Sequence, residues 1–336
     1  MGYPETSSAL EHSDERISIL GGAGFIGTRL AALLNQEGIP FRIGDLRTSD
    51  AFPDLSFKCD VRDPDSLRSH VAGSSVIISL AAEHRDDVRP ISRYVETNVQ
   101  GAVKVCEIAR TENVRKIVFT SSAAVYGFTP TPAKEDGPFR PFNPYGETKL
   151  QAEGVYRRWA DEVPSRTLVI VRPTVIFGEG NRGNVYNLLR QIASQRFLMV
   201  GRGDNFKSMA YVENVAAFIA YSLSLGPGIH VFNYADLPDM TTRELANHVL
   251  KCLERPSKLR SLPQPIAMTA GHLLDLVARV SGRRFPISAI RIQKFCENTQ
   301  LRADRVLRTG FVPPYSLLQG LERTIRSEFS STTKND

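Results

Sequence analysis

The feature that most constrains the fold is a glycine triplet, Gly21-x-x-Gly24-x-x-Gly27. It follows directly on a short apolar stretch, residues 16–20, and runs into a helical pattern that extends to about residue 36. Strand, glycine turn and helix in that order form the setting that a dinucleotide requires. Gly21 serves the tight turn, Gly24 lets the backbone approach a pyrophosphate, and Gly27 lets the helix pack on the strand, with phosphates at the helix N-terminus. Residues 41–45 read as a second strand ending in Asp45, eighteen residues past Gly27. A carboxylate there accepts ribose hydroxyls and repels a 2′-phosphate, which favours NAD, although Arg42 and Arg47 leave NADP open.

Residues 57–61 read as a third strand end, with Asp60 placed for an adenine edge. Residues 75–82 are a continuous apolar run of the kind buried in parallel sheets. They open into the polar residues 83–87, which include His84. That is where open α/β sheets place ligands, and a solvated loop reads the same way. Residues 116–120 form another buried strand that ends at Ser121 and Ser122. Ser122 is placed to bond a substrate oxygen or simply to satisfy backbone groups. Then comes Tyr145-x-x-x-Lys149, at the start of a helical stretch. Four residues apart on a helix, the two side chains share a face. A phenol titrates near pH 10, but a cation about 4 Å away at an effective dielectric of about 20 is worth roughly 4 kcal/mol, or about 3 pK units. That would bring Tyr145 close to neutrality, where it can take and return a proton. A further strand, residues 168–172, is closed by Pro173, and residues 178–184 break regular structure. The expected organisation is a flexible tail (1–15), a nucleotide-binding domain (16–178 with a return segment 209–234) and a substrate domain (the rest of 179–330).

Composition, 42% apolar and 23% charged over 336 residues, fits a globular protein. No apolar run reaches the roughly 20 residues that span a membrane. Residues 1–15 are polar and acidic, so the expected compartment is the cytoplasm. The four cysteines lie at least 44 residues apart, without a Cys-x-x-Cys or a histidine cluster, which points to neither a disulfide framework nor a metal. Net charge is +6, unevenly placed: residues 251–310 hold twelve Lys or Arg against four Asp or Glu, hence +8, and the remainder −2. Such a region suits an anionic partner, and its few aromatics argue against nucleic acid. Within it, residues 265–280 are apolar except for Thr269, His272, Asp275 and Arg279, which share an arc of about 120°. Arg283 and Arg284 follow. The pattern fits a core helix, or one lying in an anionic membrane surface.

In order and spacing, the glycine triplet, Asp45, Asp60, Leu80-Ala81-Ala82, Asn98, Ser122, Tyr145-x-x-x-Lys149 and Arg172-Pro173 resemble the motifs of the extended short-chain dehydrogenase/reductases. The resemblance covers residues 16–325. It implies an α/β fold, a Rossmann-type doubly wound parallel sheet with a smaller C-terminal substrate domain. It implies Ser122, Tyr145 and Lys149 as the catalytic group, with Asn98 supporting the lysine through the tyrosine helix. It also implies NAD held by Gly21, Gly24, Phe25, Ile26 and Gly27, by Asp45, Asp60, Val61, Leu80, Ala81, Ala82, Asn98 and Pro173, and by Tyr145 and Lys149 themselves. Dehydratases of this family need an acid pair after the catalytic hydroxyl and decarboxylases a nearby Glu, where this chain has Ala123 and Ala124. Reductases mostly consume NADPH, which Asp45 disfavours. Reversible oxidation with retained NAD, 4-epimerisation, remains. Residues 80–88, 172–178, 181–189, 207–212 and 294–296 are similar to the branch that epimerises N-acetylglucosamine carried on undecaprenyl diphosphate for O-antigen synthesis. Arg172 stands where soluble UDP-sugar 4-epimerases commonly carry Asn. This closer resemblance implies His84, Ser122, Arg172, Asn184 and Lys207 as substrate contacts, a homodimer, and peripheral attachment to the inner face of the cytoplasmic membrane. A soluble UDP-sugar 4-epimerase and a nucleotide-sugar 4-reductase stay open as alternatives.

Overall fold

Short apolar runs that are buried along their whole length, instead of alternating, make a parallel sheet covered on both faces. The computed structural model describes residues 16–85, 88–128, 131–257, 259–281 and 289–330. The expected tail, residues 1–15, and Arg283 with Arg284 lie outside the described residues. The chain opens with β1 (Ile17–Leu20), α1 (Phe25–Gln36), β2 (Phe41–Asp45), β3 (Ser56–Lys58) and α2 (Pro64–Val71). Next come β4 (Val76–Ser79), a helical run made of α3 (Ser92–Tyr94), a π-helical stretch (Val95–Gln100) and α4 (Gly101–Thr111), then β5 (Lys116–Thr120), α5 (Pro144–Asp161) and β6 (Thr167–Pro173). Beyond these lie β7 (Val175–Phe177), α6 (Asn184–Ala193), β8 (Leu198–Val200), β9 (Phe206–Lys207), β10 (Met209–Tyr211) and α7 (Val212–Tyr221). The chain continues through β11 (Gly228–Tyr234), β12 (Met240–Thr241), α8 (Thr242–Cys252), β13 (Arg260–Leu262) and α9 (Gln264–Ser281), and ends in α10 (Ala289–Cys296), α11 (Asp304–Arg308) and α12 (Leu317–Phe329).

Seven of the strands form one parallel sheet in the order β3-β2-β1-β4-β5-β6-β11. Connections run outward in opposite directions from β1 and β4, so a crevice opens at their C-terminal ends, where such sheets bind ligands. On one face α2, α4 and α5 bury Leu67, Val105 and Trp159 against Leu20, Ile77 and Ile117. On the other, α1 and α7 bury Leu34 and Phe218 against Ile19, Ile78 and Val169. Of residues 209–234, α7 lies on the face of the sheet and β11 at its edge, while β10 pairs with β7 apart from it. A third core lies off the sheet, where α6, α8 and α12 pack Leu189, Val249 and Ile325 together. Among the described residues no helix is long and apolar enough to cross a membrane.

Candidate active site

At the switch point, the ends of β1, β2, β4 and β5 and the start of α5 wall a cleft of about 600 Å³. Its floor is the glycine turn. Gly21 has φ +80°, and a Cβ there would lie 2.6 Å from the Ala81 nitrogen; a Cβ on Gly27 would lie 2.5 Å from Gly22. Both positions therefore exclude side chains, and α1 starts close enough for its N-terminal N–H groups to face the cleft. Asp45 ends β2 with its carboxylate accepting from the Ala23 N–H at 3.1 Å and the Arg47 N–H at 3.2 Å. Asp60 also lines the cleft, gripped by the Arg62 guanidinium at 2.7–3.1 Å, which holds its carboxyl below the usual range. A backbone cradle, a carboxylate at the second strand's end and the apolar walls Val61, Leu80, Ala81, Ala82 and Pro173 fit a dinucleotide.

The opposite wall carries Ser122, Tyr145 and Lys149. Asn143 caps α5, accepting from the Gly146 N–H at 2.8 Å, and Pro144 follows at the first helical position. That cap fixes where the helix begins, and so sets Tyr145 on its first turn with Lys149 one turn on. Lys149 is 2% exposed, its ammonium 4.3 Å from the centre of the Phe119 ring. Burial pulls its pKa down to about 7, with Glu153 pulling the other way. Ser122 accepts from the Ala124 N–H at 3.1 Å, so what it still offers a ligand oxygen is its O–H. Asn98 does not line the cleft. Its Oδ1 accepts from the Glu83 N–H at 2.8 Å, while its Nδ2 donates to the Glu83 carbonyl and to Thr148 Oγ1, both at 3.0 Å. It thereby ties the loop after β4 to α5, next to Lys149.

His84 and Asn184 line the cleft, but two other residues expected at the substrate stand elsewhere. Arg172 is fully buried inside the fold: its guanidinium makes a bidentate pair with Glu153 at 2.8 and 2.6 Å and donates to Tyr126 Oη and the Glu135 carbonyl, each at 2.7 Å. Its expected role at the substrate is corrected accordingly, because a guanidinium removed from water with its donors engaged is structural. Lys207 is also outside the lining; its ammonium donates to the Glu297 carbonyl at 2.6 Å, and burial lowers its pKa to about 8. The sequence reading missed Glu153, which also accepts from Ser121 Oγ at 2.6 Å and so joins the Ser122 turn to the helix of Tyr145 and Lys149. The available signal was its place four residues past Lys149, on the same helix face. Also missed were Arg62 and Arg93, the latter 3.5 Å from Glu83 of the expected ligand loop at the cleft wall.

Residues 17–235 match the NAD dependent epimerase/dehydratase family. A protein of Escherichia coli O157:H7 named N-acetyl-alpha-D-glucosaminyl-diphospho-ditrans,octacis-undecaprenol 4-epimerase is 44% identical over 327 residues, 96% of this chain and 98% of that one. A UDP-glucose 4-epimerase of Vibrio cholerae is 25% identical, covering 93% of this chain and 94% of its own. Among solved structures, a UDP-N-acetylglucosamine 4-epimerase from Methanobrevibacter ruminantium M1 superposes with TM-score 0.75 at 21% identity, covering 95% of this chain and 99% of that one.

Proposed function

The chain belongs to the NAD-dependent epimerase/dehydratase family, and on that premise we propose that it inverts carbon 4 of N-acetylglucosamine linked through diphosphate to undecaprenol. What carries the reaction type is the meeting of Ser122, Tyr145 and Lys149 with the glycine turn in one cleft. The 44% identity over nearly the whole chain supports the lipid-linked substrate over a UDP-sugar. Bound NAD would accept the hydride of carbon 4 and give it back. The glycine turn would hold its diphosphate, Asp45 its adenosine ribose, and Asp60 with Val61 would border the adenine. Tyr145 takes the proton of the 4-hydroxyl and returns it after the ketone has turned about its bond to the diphosphate. Lys149 favours the phenolate, and the Ser122 O–H steadies the sugar oxygen. His84 and Asn184 face the sugar side of the cleft.

The same reading divides the molecule into a nucleotide-binding domain built on the sheet and a substrate domain built on the third core. It also includes a second copy paired through α4 and α5, for which light scattering should return twice the mass of one chain. It further includes attachment to the inner face of an anionic membrane, supported by exposed Ile266, Leu273 and Ile290 within the +8 segment.

The test offers the purified protein both substrates in detergent and follows carbon-4 configuration in the released sugar. Conversion of the lipid-linked sugar without added reductant is expected, and Tyr145→Phe should abolish it while NAD still copurifies. Turnover of the UDP-sugar alone would leave a soluble sugar-nucleotide epimerase, and consumption of NADPH a reductase.

A further inference from the structure

We infer that His248, Cys252 and Glu322 form a binding site for a divalent transition-metal ion, zinc by its chemistry, which ties α8 to α12 outside the cleft. In the sequence these residues do not stand together, since Glu322 follows Cys252 by seventy positions. Folding unites them. His248 and Cys252 lie one turn apart on α8, and Nε2 of the first is 3.5 Å from Sγ of the second. Glu322 arrives from α12, which packs on α8 through Leu245, Val249, Leu321 and Ile325. One donor atom from each of the three residues lies within 4.8 Å of the other two. Ligands about 2.0 to 2.3 Å from a tetrahedral zinc are themselves roughly 3.5 Å apart. The Cys252 to His248 gap already has that value, and Glu322 needs only a side-chain adjustment.

The donor chemistry agrees. An imidazole, a thiolate and a carboxylate make the mixed set that suits borderline-soft zinc. Thiolate and carboxylate together balance the charge of a dication, so the nearby Lys251 and Arg326 meet no net positive site. Three protein ligands leave a fourth position. His248 also borders a groove of about 710 Å³ lined by Arg243, Lys251, Arg255 and Glu254, and the fourth ligand would be water or a small anion. None of the three ligands lines the epimerase cleft, and the ion would act as a staple on the third core, stabilising it by mass action.

The experiment treats full-length protein with a chelator and titrates it with Co2+, then with Zn2+. A single equivalent should bind, with a thiolate-to-cobalt charge-transfer band that zinc abolishes. Cys252→Ser should lose the band. His248→Ala and Glu322→Gln should weaken binding by at least the roughly 10- to 100-fold that even an outer partner costs. Zinc should raise the melting midpoint of the wild type and not of the three variants, while turnover stays the same. A band that survives in Cys252→Ser, or affinity unchanged in Glu322→Gln, would overturn the site. So would the absence of stoichiometric binding, which would leave a thiol–imidazole hydrogen bond beside a carboxylate.

Discussion

Lys149 is asked for a charge in a place that disfavours charge. Its side chain is buried and its pKa falls to about 7 by desolvation, against an ordinary 10.5. Between those values the unfolded chain binds more protons than the folded one, so this residue makes stability rise with pH across the window and adds no slope below about 7. Melting midpoints of wild type and Lys149→Met, measured from pH 6 to about pH 10 without cofactor, should diverge in that direction. A flat difference would mean that the folded protein holds the charge. Arg172 shows the opposite solution, a buried cation with a partner. Arg172→Met takes from the buried Glu153 its bidentate partner and leaves it only Arg157 at 3.9 Å and the Ser121 hydroxyl, and should cost up to about 3–5 kcal/mol in chemical unfolding, because a broken buried pair leaves a poorly compensated charge. Glu153→Leu, which has no acceptor, should also lower turnover with NAD content intact, as Ser121 loses its acceptor. The family resemblance set Arg172 at the substrate. Its actual partners, Glu153 and Tyr126, are 19 and 46 positions away, and only the folded chain shows them.

At the level of elements, what was legible was local. β1, the glycine turn and α1 follow one another within twenty residues, so their chemistry is written in adjacent letters, and so is the Asn143-Pro144 start of α5. The π-helical stretch that holds Asn98 has no such signature, yet it turns that side chain toward two other elements. Asn98→Ala would leave the Glu83 backbone and Thr148 without their bonds, at about 1–3 kcal/mol. The loss should appear in the melting midpoint and as slower turnover, through displacement of the α5 start. Lys207 illustrates the same limit from the strand side. Its element is two residues long, and its surroundings come from residues 297–299 across an isolated bridge. No local pattern predicts that pairing.

Taken whole, the molecule carries its excess charge in one region, +8 over residues 251–310 against −2 for the rest. The same region holds α9, which the sequence allowed as either a core helix or a surface one. Ile266 and Leu273 on α9 are 56% and 59% exposed, and Ile290 on α10 is 54% exposed. Large apolar side chains left in water within a segment of basic sequence fit an interfacial helix, where each buried methylene and each lysine or arginine adds to the affinity. The protein should therefore float with vesicles rich in phosphatidylglycerol and not with neutral ones. Binding should fall as salt rises, because the charge component is screened within about 10 Å at 0.1 M. Ile266→Glu combined with Leu273→Glu should abolish flotation and slow turnover of the lipid-linked sugar on vesicles, yet leave turnover in detergent unchanged, since neither residue lines the cleft. Wild-type protein that stays in solution with both kinds of vesicle would remove the membrane from this reading. The proton transfer proposed for Tyr145 would be untouched by that result, because Tyr145 lines the cleft and neither Ile266 nor Leu273 does.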